Sequence, residues 1–456
     1  MKKHWHWIVL GISILSYVVV LSWLSILRHN AFASGLDLGN MDQTVWNGLH
    51  GRPFSLTYEG FNQLRFAAHA DFSLVLLSPL YVLWNSPHML NVFESMYLGL
   101  GAIPVFLIAR HLLKDVKLAL LFSAIYLLSP VTQWIDIFDF HSVSFAVPSL
   151  LFAYYFVLKK QWGWYGISIF LALLTKEHIG LQVAVLGLII ALVHKEKKMG
   201  VTTCFLGSLW FFVMVFVILP QFSLSGEHWA FAWYDFGANM INRVFFDPEI
   251  RAYYSLLLKS FGFLPLLGLP WLILTAPDLA INVLSSHAEM HSIKYHYTSG
   301  LVPGLMIAAI YGMLFVKKFV RFPVVSYVIM LGALLIVLRV NYHFSPLPTT
   351  ESCWCQSYEV SEDDKEFEKV LQSIPSTASV TSSTELHAHV THREFAYMLP
   401  HATESADFIA LIDQHRVIDN YGPKQYELDL VKKLNEEKNY VLEKHIGHFY
   451  LYKRLQ

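Results

Sequence analysis

Apolar runs long enough to cross a bilayer recur along the chain, separated by short polar breaks. A crossing helix needs about 20 apolar residues, with a range of about 17–25. Residues 8–27 form the first such run, and 89–109, 118–135, 142–158, 162–175, 179–193 and 200–219 follow. After a longer break come 254–269, 270–287, 300–316 and 323–340. The pattern predicts about eleven transmembrane helices. Residues 72–84 are too few to cross and read as a re-entrant or interfacial segment. Ala31-Phe32-Ala33 resembles a signal-peptide cleavage site, but the run before it exceeds a usual signal core, so it is read as a membrane helix.

From about residue 341 the pattern changes. Residues 361–369 are acidic and helix-like, whereas 378–382, 394–398 and 407–412 read as short strands between polar breaks. Residues 424–438 have helical periodicity, and 440–444 with 448–453 read as a hairpin about Gly447. The expected organisation is therefore a multi-span transmembrane domain with outer loops, 1–340, and a small extracytoplasmic α/β domain, 341–456. There is no glycine-rich phosphate loop and no internal repeat.

Charge placement orients this layout. With the N-terminus in the cytoplasm, residues 110–117, Lys159-Lys160, 194–198 and 317–321 become short basic cytoplasmic connections, as the positive-inside rule requires. The long loops and the whole tail then share the outer side. Composition agrees: 55% of residues are hydrophobic and 15% charged, against about 25% charged in a soluble domain, and the mean hydropathy is +0.44. A net charge of −1 gives no basis for nucleic-acid binding. Three cysteines do not make a disulfide framework, and Cys353-Trp354-Cys355 is left unassigned.

Polar groups collect at the outer rim. The first outer loop, 35–52, carries Asp37 and Asp42. Five residues apart, they would diverge on a helix, and Gly39 allows the bend that would bring them together. Each reads as a general base or metal ligand, or else as a hydrated loop acid or helix cap. Asp136, Asp139 and His141 form a second cluster; Asp139 and His141 have the donor types and spacing for a divalent metal in an extended segment. His69 and Asp71, with Arg65 nearby, repeat those types. Lys176, Glu177 and His178 sit between apolar runs, where charge is costly unless it meets water or a partner, so Lys176 is a candidate phosphate ligand. His287, His291, Lys294, His296 and Tyr297 crowd one further loop.

The stretch G-L-D-L-G-N-M-D-Q-T-V-W-N-G-L-H-G-R-P-F resembles the signature of the membrane-protein family named domain of unknown function 2079. The resemblance continues in H-A-D-F-S at His69, D-F-H at Asp139, T-K-E-H at Thr175 and H-Y-T at His296. It extends to I-P-S-T-A-S-V at Ile374 and T-H-R-E at Thr391, so it covers nearly the whole chain. That family is similar in layout to the GT-C membrane glycosyltransferases, which take a sugar from a polyprenyl-phosphate donor. The resemblance implies that Asp37, or failing it Asp42, serves as base or metal ligand. The acidic pair of protein mannosyltransferases is missing after Asp37. Arg65, His69, Lys176, Glu177, Lys294, His296 and Tyr297 are the expected substrate-binding residues, and a divalent metal ion at Asp139 and His141 is the candidate cofactor. The expected partners are a lipid-linked sugar donor, the bilayer and an acceptor of unspecified kind. A transporter or flippase of lipid-linked sugars and a non-catalytic assembly protein are the competing classes; the missing repeat and the rim placement of the polar groups favour the enzyme.

Overall fold

The computed structural model describes residues 4–455 apart from 236, 238–239, 321, 417–422 and 438. Arg321 and Lys438, which end two of the segments read from the sequence, lie outside the described residues. The first apolar run is one helix, α1 (Trp5–Asn30), 26 residues long. At 1.5 Å per residue it spans about 39 Å, more than the hydrocarbon thickness of a bilayer.

By length and composition, six helices among the described residues can cross a membrane, or seven if the bent pair Val116–Leu128 and Pro130–Ile137 is one span. That pair turns by 45° at Ser129-Pro130, where proline cannot continue the hydrogen-bond ladder. The eleven expected segments are all helical, but 162–175 and 179–193 become helices of only 12 and 14 residues. The 254–287 stretch breaks at Gly262, Pro265 and Gly268 into short pieces. Residues 73–82 form a single short helical segment, in keeping with a piece that does not cross.

The first outer loop is not a loop. Residues 36–49 form a helix, α2 (Leu36–Leu49), which starts from an extended Gly35 and ends before Gly51, whose φ is +75°. Its Leu38, Met41 and Val45 recur at helical spacing and pack on Leu74, Leu77 and Tyr81. The bend at Gly39 is absent. Instead its missing side chain lets the tail approach, since a Cβ there would strike His387.

In the tail the expected elements appear nearly where the pattern put them. The strands β3 (Val380–Ser382), β4 (Ala396–Met398), β5 (Phe408–Ile412), β6 (Tyr440–Ile446) and β7 (Phe449–Arg454) form one sheet in the order β4-β3-β5-β7-β6. A separate pair, β1 (Ser55–Leu56) and β2 (Gln63–Leu64), lies just beyond α2. Strand β3 runs parallel to β4 and β5, and β6 and β7 form the antiparallel hairpin. Alternate residues of β5 face opposite sides. Phe408, Ala410 and Ile412 meet the helix Glu362–Ser373, whereas Ile409 and Leu411 meet the helix Gln425–Glu436. Cys353 and Cys355 are joined by a disulfide.

The tail is seated on the start of the chain. Phe32, just past α1, is fully buried in the tail core, its ring 5.0 Å from that of Phe449. Gln43 of α2 donates to the carbonyls of Arg393 and Glu394, and Met398 donates to the Tyr58 carbonyl. One face of α2 therefore belongs to the tail.

Candidate functional site

The other face of α2 lines a cavity of about 720 Å³. Asp37, Arg65, His69, His141, Lys176, Glu177, His296 and Tyr297 all border it, although they come from five separate polar segments. Phe211, Val215, Phe222, Leu224 and Phe231 give it an apolar flank. Three expected site residues are elsewhere. Asp42 points to the tail, Asp139 sits behind the start of α2, and Lys294 lies over the Trp134 ring at 5.9 Å.

Asp37 occupies the first turn of α2, where backbone N–H groups favour a negative charge. Its side chain is 40% exposed, and Oδ2 lies 3.3 Å from His141 Nε2. Burial alone would raise its carboxyl. The His141 imidazole, with Arg65 and Lys176 farther off, more than offsets this and holds it at about 2.

Asp139 supports that contact without joining it. Its Oδ1 accepts from Arg28 at 2.6 Å and its Oδ2 from the Gly35 N–H at 2.9 Å, which pins the entry to α2. The Asp139 carbonyl lies 2.8 Å from His141 Nδ1. A carbonyl can only accept, so Nδ1 carries a proton. His141 Nε2 then either donates to Asp37 as an imidazolium or shares a cation with it. A guanidinium and a backbone amide already occupy both Asp139 oxygens, so Asp139 is not aimed at the same space as His141 Nε2; the carboxylate that faces Nε2 is Asp37.

Deeper in the wall, Glu177 gathers three donors. His69 Nδ1 is 2.9 Å away, the Ala70 N–H 3.1 Å and His228 Nε2 3.3 Å. Burial would raise the Glu177 carboxyl, but the two rings and the Lys176 charge hold it well below the usual carboxylate range. His69, Glu177 and His228 have ligand atoms within 4.8 Å of one another, which suggests a metal. The hydrogen bonds argue otherwise. His228 Nδ1 accepts the Ala230 N–H at 3.2 Å, so the proton of the neutral ring sits on Nε2, where a metal would have to bind. The trio is a hydrogen-bonded hub.

Lys176 is 8% exposed and faces the cavity, and among the described residues no hydrogen bond or ion pair holds its ammonium. Asp278, also in the wall, has no hydrogen bond to either oxygen among the described residues, and His178 Nε2 is 3.8 Å from it. His296 stacks on His141 with ring centres 3.5 Å apart, and burial pushes it well below the usual imidazole range.

Sequence reasoning missed His228, Trp229 and Asp278. The first two lie in a long irregular stretch with no motif, where only the aromatic density of H-W-A-F-A-W stands out. Asp278 lay within an expected span, where an acid is itself a signal of function.

The family profile described as predicted membrane protein (DUF2079) matches residues 28–441, so the chain belongs to that family. Among solved structures, ArnT from Cupriavidus metallidurans bound to undecaprenyl phosphate is similar, with a TM-score of 0.61 at 11% identity over 98% of both chains. The oligosaccharyltransferase of Archaeoglobus fulgidus, tethered to an acceptor peptide, aligns at a TM-score of 0.46 and 12% identity over 100% of this chain and 74% of that one. ArnT is a GT-C glycosyltransferase. No curated protein matches the chain. The chain is thus a multi-pass membrane protein with a GT-C-like, mostly helical fold and a small C-terminal sheet.

Proposed function

We propose that the protein is a GT-C-type transferase that moves a sugar from a polyprenyl-phosphate donor to an acceptor on the outer face of a membrane. Lys176 carries this reading: a largely buried lysine whose ammonium has no hydrogen-bond or ion-pair partner among the described residues, in a cavity with an apolar flank, favours an anion attached to a hydrocarbon chain. Undecaprenyl phosphate, the molecule bound to ArnT, has that chemistry. The isoprenoid would lie along Phe211, Val215 and Phe222, and the phosphate beside Lys176, with the Arg65 charge, already tied to Asp71 at 2.8 Å, nearby.

Asp37 faces the same space as Lys176. It can accept a hydrogen bond from the incoming hydroxyl or hold a cation. The orientation of His141 Nε2 towards Asp37 suits a divalent ion between them, which would supply positive charge to the departing phosphate. Tyr297, His296 and Glu177 border the space left for the sugar. In this reading the N-terminus is cytoplasmic, and residues 341–456 form a domain outside.

The test is transfer from polyprenyl-phosphate sugars to an acceptor panel in proteoliposomes. Asp37→Asn is expected to abolish transfer while leaving folding and insertion intact. Donor movement across the bilayer without turnover would replace this reading with a flippase, and full transfer by Asp37→Asn would remove Asp37 from the reaction.

A further inference from the structure

Sugar transfer to a hydroxyl needs somewhere for the hydroxyl proton to go. Asp37 already faces the His141 imidazole, with its Oδ2 3.3 Å from Nε2. The cavity wall contains a better-arranged group.

Glu177 is fixed from two sides, by the Ala70 N–H on Oε2 and by His228 on Oε1. Its Oε1 also meets His69 Nδ1 at 2.9 Å. An ionised carboxylate only accepts, so Nδ1 carries the proton and the neutral ring has its lone pair on Nε2. Among the described residues Nε2 has no partner, and the ring, 15% exposed, borders the same cavity as Asp37 and Lys176. The Trp229 ring stands edge-on to it at 5.3 Å and restricts its rotation. This is the arrangement of a carboxylate-oriented imidazole base.

We infer that His69 is the base of the transfer, taking the acceptor proton on Nε2, with Glu177 as its positioning residue; the inference rests on the transferase reading above. In the step, the acceptor oxygen bonds to the anomeric carbon of the sugar. The bond from that carbon to the phosphate oxygen breaks, and its electron pair leaves with the polyprenyl phosphate. The hydroxyl proton passes to His69, and the imidazolium is stabilised by Glu177 until solvent takes the proton.

The groups facing His69 are Glu177, Lys176, Asp71, His228, His178 and His296. Burial, and then the Lys176 charge, push His69 down to about 4 against the opposing effect of Glu177 and Asp71. A donor phosphate beside Lys176 would cancel much of that charge and raise the ring towards the working range. The acid limb of kcat should therefore lie at higher pH than that of kcat/KM, since the first reports the bound and the second the free enzyme.

The experiment uses the full-length protein in proteoliposomes with undecaprenyl-phosphate-linked sugars. His69→Gln should lower kcat by about 10²–10⁴-fold with KM changed by less than about threefold, and its acid limb should vanish. His69→Ala should regain activity in added imidazole, which a merely structural role would not allow. Glu177→Gln should displace the acid limb. A second readout needs no turnover: diethyl pyrocarbonate should modify His69 faster than the more buried His141 and His296, and undecaprenyl phosphate should protect it. Wild-type protein without turnover would sink the transferase reading. Undiminished kcat in His69→Gln, or a His69 that modifies no faster than those two rings, would overturn the inference while leaving that reading in place.

Discussion

Asp37 and Asp42 sit five residues apart on α2, one on each side of the helix, and the two sides differ in what they leave unsatisfied. Asp42 is fully buried and accepts from the Tyr81 and Thr391 hydroxyls and from His392 Nε2 at 3.1 Å. Every approach to it is taken by a donor from the protein, two of them from the tail. Asp37 is 40% exposed, faces one imidazole, and shares its cavity with a lysine that no hydrogen bond or ion pair holds among the described residues. A saturated carboxylate joins parts of a fold, whereas an unsaturated one beside unsatisfied positive charge is available to a ligand. Residue type and spacing cannot separate the two cases; the neighbours can.

The comparison predicts opposite phenotypes for the same substitution. At the cavity face, Asp37→Asn should cost about 10²–10⁴-fold in transfer rate, the range for losing a group that acts on the reacting atoms, with thermal stability lowered only by the small contribution of the His141 contact. On the tail face, Asp42→Asn should leave two donors opposed by an amide N–H. A loss of about 1–3 kcal/mol in stability is expected, seen as a lower melting temperature and faster proteolysis of the tail. If Asp42→Asn instead removed transfer at full stability, the division between the faces would be wrong.

Smaller effects sharpen the same contrast. Lys176→Gln should weaken undecaprenyl phosphate binding by about 10–100-fold, matching the roughly 1.5–3 kcal/mol of a hydrogen bond to a charged group. Calorimetric titration of the detergent-purified protein would measure it, and an unchanged affinity would free Lys176 from the anion. The weakest effect is on acid stability. The folded Asp37 carboxyl titrates near 2, below its ordinary value of 3.8. Its contact with His141 therefore stabilises the fold above about pH 4 and fades as the pH falls towards 2. Exposure and solvent screening keep this contribution small. Melting curves of wild type and Asp37→Asn should converge across that interval and stay parallel above it.

Much of this was legible in the chain. The tail elements were found because strand alternation and helical spacing are local signals: 407–412 became β5, and the turn at Gly447 has the positive φ of +53° that glycine accommodates. The rim residues Asp37, His69, His141 and Lys176 could be grouped because they lie on one side of the expected layout. The helical nature of 36–49 was also written in the spacing of Leu38, Met41 and Val45, but the polar residues between them suggested a loop. Their polarity has a tertiary cause, since Gln43 and Asp42 are buried against a tail some 350 residues later in the chain. The partners of Asp139 were hidden for the same reason: Arg28 and Gly35 reach it from across the fold.

The central claim is that the cavity face of α2 belongs to a lipid-phosphate site and the tail face does not. Photolabelling with an undecaprenyl phosphate that carries a diazirine near its phosphate tests it most directly. The account predicts adducts on cavity-wall peptides, chiefly 64–71 and 222–231, that disappear in excess unlabelled lipid and weaken in Lys176→Gln. Adducts confined to the tail, or to membrane-facing surfaces away from the cavity and unaffected by Lys176→Gln, would contradict it.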